Sequence, residues 1–215
     1  MNEFADGRIV PLRHIEARVE PYDWAFAREN DAAIAGHWAK VSDGKPAMFN
    51  GRILLQHRAS IADGVFKAGY FETDYAAFMA WRDFGLPGPT IRNGFAMGAL
   101  RAADGAFLCG RMGGHTANAG MVYFAAGTPD RSDVREDGSV DLAGSVVREL
   151  WEETGLTEAE ITVGDGWEAV FAAGRIAFMR PVTVPLPAQE ARDLMMSRIA
   201  MLEEQELDDI VILRS

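Results

Sequence analysis

The sequence has one cysteine, few basic residues and no long apolar run, and each shortage excludes a class of protein. With Cys109 alone among 215 residues, a disulfide framework within the chain is excluded and a reducing, cytoplasmic location is expected. Lysine and arginine total 21 against 32 acidic residues, a net charge of −11. Nucleic acid is therefore a disfavoured partner, because affinity for its phosphates comes largely from basic side chains. No run is long enough for a membrane-spanning helix, so no membrane partner is expected.

The remaining composition indicates a globular protein with a proper core. Apolar residues make up 48% of the chain and charged residues 25%, and the length suits one large domain or a domain with an extension. Cys109 lies in an apolar run without a basic neighbour to lower the pKa of its thiol, so a buried structural role is predicted. The first residues lack the basic region and apolar core of a secretory signal.

The most informative stretch is a helix predicted over residues 141–154. Asp141 is a suitable N-cap, and Gly155 suits the left-handed residue that ends a helix. Four apolar residues recur at near-helical spacing and predict a buried face: Leu142, Val146, Leu150 and Trp151. Packing is therefore the predicted role of Trp151.

Three glutamates crowd one face at the end of this helix. Glu149, Glu152 and Glu153 stand at positions i, i+3 and i+4, where like charges repel. A divalent cation with oxygen ligands offsets that repulsion. Arg148 precedes Glu152 by four residues and is predicted to pair with it, which fixes the rotamer of that carboxylate. The alternative is a solvated acidic helix end.

The run Arg148-Glu149-Leu150-Trp151-Glu152-Glu153-Thr154-Gly155-Leu156 resembles the second half of the Nudix box, Arg-Glu-aliphatic-x-Glu-Glu-x-Gly-aliphatic, at every specified position. The front half departs from the family pattern, because the positions of its Gly and Glu hold Val134 and Val140. Asp141 stands one place from the missing Glu, and either acts in its stead or only caps the helix. Gly127 resembles the loop glycine that follows the preceding strand of the family.

Residues 127–140 then form an insertion, which is predicted to be mobile or to contact substrate because it is long, polar and without periodicity. The resemblance implies an α/β fold, a Nudix-type α/β/α sandwich with a mixed β-sheet over residues 91–215. An N-terminal α+β extension over residues 1–90 contributes a helix, a β-hairpin and a helix. This extension is also a candidate homodimer interface.

The resemblance further implies a pyrophosphohydrolase that depends on Mg²⁺ or Mn²⁺. The metal ligands are then Glu149, Glu152 and Glu153, and Arg148 completes the catalytic set. Arg111 and His115 follow a core strand and are candidates for binding substrate phosphate, with a surface Arg and a loop His as the equal alternative. A further acidic residue often serves such enzymes as general base or extra metal ligand. The candidates are Glu203, Glu204 and Glu206, and a solvated helix end is the favoured alternative.

The implied substrate is a small-molecule nucleoside diphosphate derivative. The layout of the extension resembles Nudix enzymes that hydrolyse UDP-glucose and related nucleotide sugars. One alternative is a coenzyme A pyrophosphatase, since those enzymes also have an altered front half of the box. Another is a non-catalytic Nudix-fold module that senses a nucleotide, which the retained carboxylates disfavour.

Local patterns predict the remaining elements. Asp63-Gly64 indicates a hairpin turn, Thr73 or Asp74 a helix cap, and Gly85 a helix end. Strands are predicted over residues 8–12, 51–58, 65–71, 94–101, 106–111, 121–126, 168–173, 175–184 and 209–213. Helices are predicted over residues 30–41, 74–84, 141–154 and 187–204.

Overall fold

A computed structural model describes residues 4–45, 48–116 and 118–214. The strands are β1 (Ile9–Leu12), β2 (His14–Val19), β3 (Arg52–Ala62), β4 (Val65–Asp74), β5 (Asn93–Ala102), β6 (Phe107–Met112), β7 (Val122–Tyr123), β8 (Thr162–Val163), β9 (Trp167–Ala172), β10 (Arg175–Val184) and β11 (Leu207–Leu213). The helices are α1 (Ala25–Glu29), α2 (Asp31–Val41), α3 (Tyr75–Asp83), α4 (Leu142–Thr154) and α5 (Ala188–Ile199). None of these helices is long and apolar enough to cross a membrane.

The predicted α/β class is confirmed by two sheets with interspersed helices. The larger sheet has the strand order β1-β9-β10-β5-β6-β11, with β7 beside β6 and β8 beside β10. The smaller sheet has the order β2-β4-β3. The chain packs as two compact units. The first comprises Met1–Phe95, Thr128–Asp141 and Val170–Ile176, and the second comprises Ala96–Gly127, Leu142–Ala169 and Ala177–Ser215. The proposed domain division at residue 90 stays a prediction.

The first unit contains the predicted hairpin. β3 and β4 pair antiparallel, and both turn residues, Asp63 and Gly64, have positive φ angles of 49° and 71°. Two such residues in succession are typical of the tight turn that matches the twist of a hairpin. β2 was not predicted, and it adds to β4 as a parallel strand. In its sequence, Ile15, Ala17 and Val19 alternate with charged or polar residues. This alternation is typical of a strand and could have identified β2.

Helix α3 forms the core of the first unit, as its aromatic pattern predicts. Its residues from Ala76 to Trp81 are buried, and Gly85 follows with a positive φ of 88°. The prediction that the side chain of Thr73 or Asp74 caps this helix is wrong. Asp74 occupies the N-cap position but makes no side-chain cap bond, and Asn50 Oδ1 instead accepts a hydrogen bond of 2.7 Å from the N–H of Ala76. Asp74 pairs with Arg52 at 2.7 Å, which draws its carboxylate away from the helix.

The inserted segment after Gly127 is a folded part of the first unit. It contains a 3₁₀ helix, Arg131–Asp133, closed by a capping box between Asp130 and Asp133. Its backbone bonds to β3 through Pro129 O and Leu54 N at 2.7 Å, and to β2 through Val140 N and Ala17 O at 2.9 Å. These bonds argue against the mobile loop that was expected from the length and polarity of the segment. Contact with substrate stays a prediction.

Helix α4 of the second unit contains the glutamates and packs closely on β5. A Cβ at Gly98 would lie 2.7 Å from Leu150 Cδ1 and 3.3 Å from Val146 Cγ1, so this glycine permits the helix to approach the strand. Leu142, Val146 and Leu150 are buried as predicted. Trp151 is 55% exposed, so its predicted packing role is wrong within this chain. It follows Leu150 by one residue, or about 100° around the helix, which turns it off the buried face.

Two other expectations in the second unit are adjusted by the structure. Only Val122–Tyr123 of the predicted strand 121–126 is paired as β7, and α5 ends at Ile199 rather than at residue 204. Cys109 is buried in β6, as predicted, and burial raises the pKa of its thiol to about 11. That thiol is therefore a packing group.

Arg198 fixes the end of α4. Gly155 has the left-handed φ of 71° predicted for it, and its carbonyl accepts a hydrogen bond of 2.7 Å from Arg198. The same guanidinium donates to both carboxylate oxygens of Glu160, at 2.7 and 2.6 Å. The Arg198 guanidinium, helped by Thr157, lowers the pKa of Glu160 to about 2. This ion pair thus ties α5 to the segment that follows the glutamates.

Glu160→Gln is expected to lower the free energy of unfolding by about 1 kcal/mol at neutral pH, because it removes a bidentate, partly exposed ion pair. The native pKa is depressed from 4.5 to about 2, so the stabilisation is complete above pH 4.5 and is lost as the pH falls towards 2. Urea unfolding of the variant and of the wild type should therefore converge towards pH 2. Glu158→Gln, in the same turn, is the matched control and should show no such convergence.

Candidate active site at the end of helix α4

The carboxylates of Glu149 and Glu153 are held against the backbone of Ala126 and Gly127. Glu153 Oε1 accepts a hydrogen bond of 2.9 Å from the N–H of Ala126. A Cβ at Gly127 would lie 2.2 Å from Glu149 Oε1, so the absence of a side chain there makes room for the carboxylate. Glu149 and Glu153 are only 9% and 6% exposed. The loop glycine and two of the predicted glutamates therefore meet.

Arg148 joins two of the predicted site residues. Its Nη1 lies 3.0 Å from Glu152 Oε2, which confirms the predicted i, i+4 pair, and 2.9 Å from Glu149 Oε1. Glu152 is the most exposed of the three glutamates, with 45% of its side chain accessible. Arg148 therefore offsets part of the negative charge and orients both carboxylates.

The carboxyl group of Glu153 has a strongly shifted pKa. Burial, followed by the charges of Glu149, Glu206 and Glu152, raises the pKa of its carboxyl to about 8, against the opposing bond from Ala126. Its Oε2 is buried and has no hydrogen-bond partner among the residues that the structure describes. A buried polar atom in this state costs free energy unless a ligand or solvent satisfies it.

Glu206 approaches the same site from the segment before β11. Desolvation and the charges of Glu204 and Glu152 raise the pKa of its carboxyl, whereas the charge of His115 lowers it. The backbone carbonyl of Glu206 accepts a hydrogen bond of 2.7 Å from Gly113, close to the His115 ring. Of the three candidate bases, Glu206 is the one whose charge also acts on Glu153. The sequence made Glu206 a candidate but gave no reason to prefer it to Glu203 or Glu204.

Arg111 is placed less favourably for binding phosphate. It lies opposite Asp209 in the β6–β11 pair, and its Nη2 donates to Asp209 Oδ2 at 2.6 Å. Asp209 also accepts a bond of 2.6 Å from Arg192. The guanidinium of Arg111 is therefore engaged in an ion pair within the sheet. A role in substrate binding stays a prediction, as it does for His115.

Asp141 immediately precedes α4, as its predicted capping position requires. Its Oδ1 lies 2.7 Å from Arg135 Nη2, in an ion pair inside the first unit. This pair gives Asp141 a structural role. Its replacement of the missing Glu of the box stays a prediction.

The donor set suits a hydrated divalent cation better than a closed metal cage. Across residues 4–45, 48–116 and 118–214, no three His, Cys, Asp or Glu side chains form a ready-made metal cluster. Mg²⁺ retains several waters and needs only one or two protein carboxylates. Glu149 and Glu153 supply that number, and Glu153 Oε2 is buried without a hydrogen-bond partner among the described residues. Glu152 can join if Arg148 releases it.

Comparison with solved structures gives partial similarities, of which two are described. The chain is similar to a Nudix hydrolase from M. smegmatis, RenU, with a TM-score of 0.37 and 16% identity over 57% of this chain and 70% of that chain. It is also similar to the MutT protein from Methanosarcina mazei Go1, with a TM-score of 0.31 and 24% identity over 45% of this chain and 65% of that chain, just under two thirds. No protein-family model and no curated protein matches the chain. At these TM-scores neither similarity assigns a fold or an activity, so the function is argued from the site.

Proposed function

We propose that this protein is a divalent-metal-dependent hydrolase of phosphoric anhydrides, of the Nudix hydrolase type. The observation that carries the proposal is the placement of Glu149 and Glu153 against Ala126–Gly127, with the charges of Glu152 and Glu206 close by. The charges of Glu149, Glu206 and Glu152 all disfavour ionisation of Glu153, and a bound cation would offset that repulsion. The match of residues 148–156 to the second half of the Nudix box supports the same reaction.

In the proposed reaction, Glu149, Glu152 and Glu153 hold Mg²⁺ or Mn²⁺. A bound divalent cation neutralises the charge of a diphosphate and lowers the pKa of a coordinated water. Arg148 keeps the carboxylates of Glu149 and Glu152 oriented. Ala126 donates to one oxygen of Glu153, which leaves the other free to face a ligand.

Glu206 is the proposed general base that accepts a proton from the attacking water. Its side chain is exposed, so water reaches it, and its pKa is raised, which is the direction that favours a general base near neutral pH. His115 lies near enough to influence its charge, and is proposed to contact substrate phosphate.

Glu206→Gln is expected to lower kcat by about 100-fold with little change in KM, because general-base catalysis contributes about 10²–10⁴-fold and the amide cannot accept the proton. The measurement is steady-state hydrolysis at saturating Mg²⁺. Glu203→Gln is the matched control, since Glu203 is an exposed carboxylate of the same segment. Equal losses in both variants would assign the effect to general surface charge and remove Glu206 from this role.

A non-catalytic nucleotide sensor is the competing function class. Such a module needs to bind a nucleotide but has no use for a water-activating site. Incubation with Mg²⁺ and a panel of nucleotide sugars, dinucleotides, coenzyme A and nucleoside triphosphates, followed by product analysis, separates the two. A nucleoside monophosphate as product supports the hydrolase, and binding without any product supports the sensor.

The substrate is proposed to be a nucleotide sugar such as UDP-glucose. This proposal is supported by the order of elements in residues 48–85. The β3–β4 hairpin is followed there by the aromatic helix α3, an order that resembles that of nucleotide-sugar hydrolases. We expect kcat/KM for UDP-glucose to exceed the values for a nucleoside triphosphate and for coenzyme A, with one metal at one pH. A ratio below unity against either competitor removes the nucleotide-sugar assignment and leaves the metal-dependent hydrolase in place.

A further inference from the structure

One cavity of the molecule lies wholly within the first unit and contains none of the residues of the proposed active site. Its volume is about 130 Å³, which leaves room for a small ligand together with some water. The wall is formed by the N-terminal residues, the turn after α3 and the β9–β10 turn. Its three charged side chains are Asp6, Arg92 and Arg175.

Arg92 is held rigidly at this cavity. Its backbone N–H and C=O bond to Gln56 at 3.0 and 2.8 Å, so the root of the side chain is fixed. Its guanidinium lies 5.0 Å from the centre of the Phe4 ring and donates to Thr90 O at 3.2 Å. Burial lowers the pKa of Arg92, and the nearby charge of Asp6 opposes that effect. A partly desolvated guanidinium of this kind gains from an anionic partner.

Neither arginine of the cavity has such a partner. Within residues 4–45, 48–116 and 118–214, no carboxylate oxygen comes within 4.0 Å of the guanidinium of Arg92 or Arg175. This is notable in a chain with 32 acidic and only 21 basic residues, where most guanidiniums have an available carboxylate. Two cationic residues and one acidic residue therefore line the same small cavity.

We propose that this cavity is a binding site for inorganic phosphate, held between the guanidiniums of Arg92 and Arg175. Guanidinium groups present paired N–H donors that match the oxygens of a tetrahedral oxyanion. Asp6 supplies the selectivity. Near neutral pH inorganic phosphate retains an O–H, which donates to this carboxylate, whereas sulfate and an ionised carboxylate have no proton to donate. The proposal is independent of the hydrolase assignment, because it uses no residue of that site and no metal.

The test is a titration of the ¹⁵N-labelled full chain in EDTA, followed through the amide signals of Ala172 and Gly174, which line the cavity. Inorganic phosphate, sulfate and glycerol phosphate are compared at about pH 8, where the phosphomonoester has lost its last proton. Arg175→Gln removes an exposed guanidinium and should leave the fold intact. Lys45→Gln is the control, since it removes the same charge from an exposed residue that does not line the cavity.

Phosphate should shift both amides and bind more tightly than sulfate or glycerol phosphate. Arg175→Gln should weaken phosphate binding by about tenfold or more, and Lys45→Gln should not change it. Asp6→Asn should reduce the preference for phosphate over sulfate. The proposal is overturned if the two amides do not shift with phosphate, if sulfate or glycerol phosphate binds as tightly, or if Lys45→Gln weakens binding as much as Arg175→Gln.

Discussion

Glu152→Gln is expected to reduce metal-dependent hydrolysis by about 100-fold or more while the fold is retained. The substitution removes one negative charge and preserves the shape of the side chain. Among the described residues, its only hydrogen-bond partner is Arg148 at 3.0 Å. Arg148 also pairs with Glu149, so this arginine keeps a partner on the helix when Glu152 is replaced. The side chain is 45% accessible, so its replacement disturbs little packing.

Two readouts separate a loss of metal from a loss of structure. Thermal unfolding without metal should be unchanged within a few degrees, whereas the increase in melting temperature produced by Mg²⁺ should shrink, because a ligand stabilises in proportion to its occupancy. Glu190→Gln, an exposed glutamate in the first turn of α5, is the control for removal of charge. Unchanged turnover of Glu152→Gln at saturating Mg²⁺ contradicts the role assigned to this carboxylate.

Gly127→Ala should abolish most activity at almost no cost in stability. The added Cβ would lie 2.2 Å from Glu149 Oε1 and 2.5 Å from its Cδ, so the carboxylate must move. The obstructed atoms are the end of a flexible side chain, which can turn away without disturbing the core. A displacement of about 1 Å in a catalytic group can cost on the order of 100-fold in rate, and we expect a loss of that size.

Gly36→Ala is the matched control for this substitution. Gly36 lies in α2, and a Cβ there would meet no atom within 4 Å. Melting temperature and kcat/KM are measured for both variants with Mg²⁺. Wild-type activity in Gly127→Ala would show that the position of Glu149 against the loop glycine does not matter for the reaction.

The parts of the structure that depend on neighbours in sequence were predictable. The Asp63-Gly64 turn, the helix end at Gly155 and the Arg148–Glu152 pair each depend on a few adjacent residues, and all are confirmed. The periodicity of α4 identified three of its four proposed buried positions. It misplaced Trp151, because residues at successive helical positions point about 100° apart and an apolar side chain next to a buried face need not belong to it.

The parts that depend on distant pairing were not predictable. β2 joins β4 in parallel across about fifty residues, and the folded segment after Gly127 bonds to β2 and β3. The alternation within β2 indicates a strand, but no local pattern indicates which strand it pairs with. The pairing of β11 with β6 places the carbonyl of Glu206 on Gly113, and the charge of Glu206 acts on Glu153 from there. A single sequence gives no measure of such register, so Glu203, Glu204 and Glu206 could not be ranked.

The most direct test of the metal-site assignment is anomalous diffraction from a crystal of the protein soaked in Mn²⁺. We expect an anomalous peak at the end of α4, within coordinating distance of carboxylate oxygens of Glu149, Glu152 and Glu153. A peak bound by other side chains, with none at these glutamates, would contradict it.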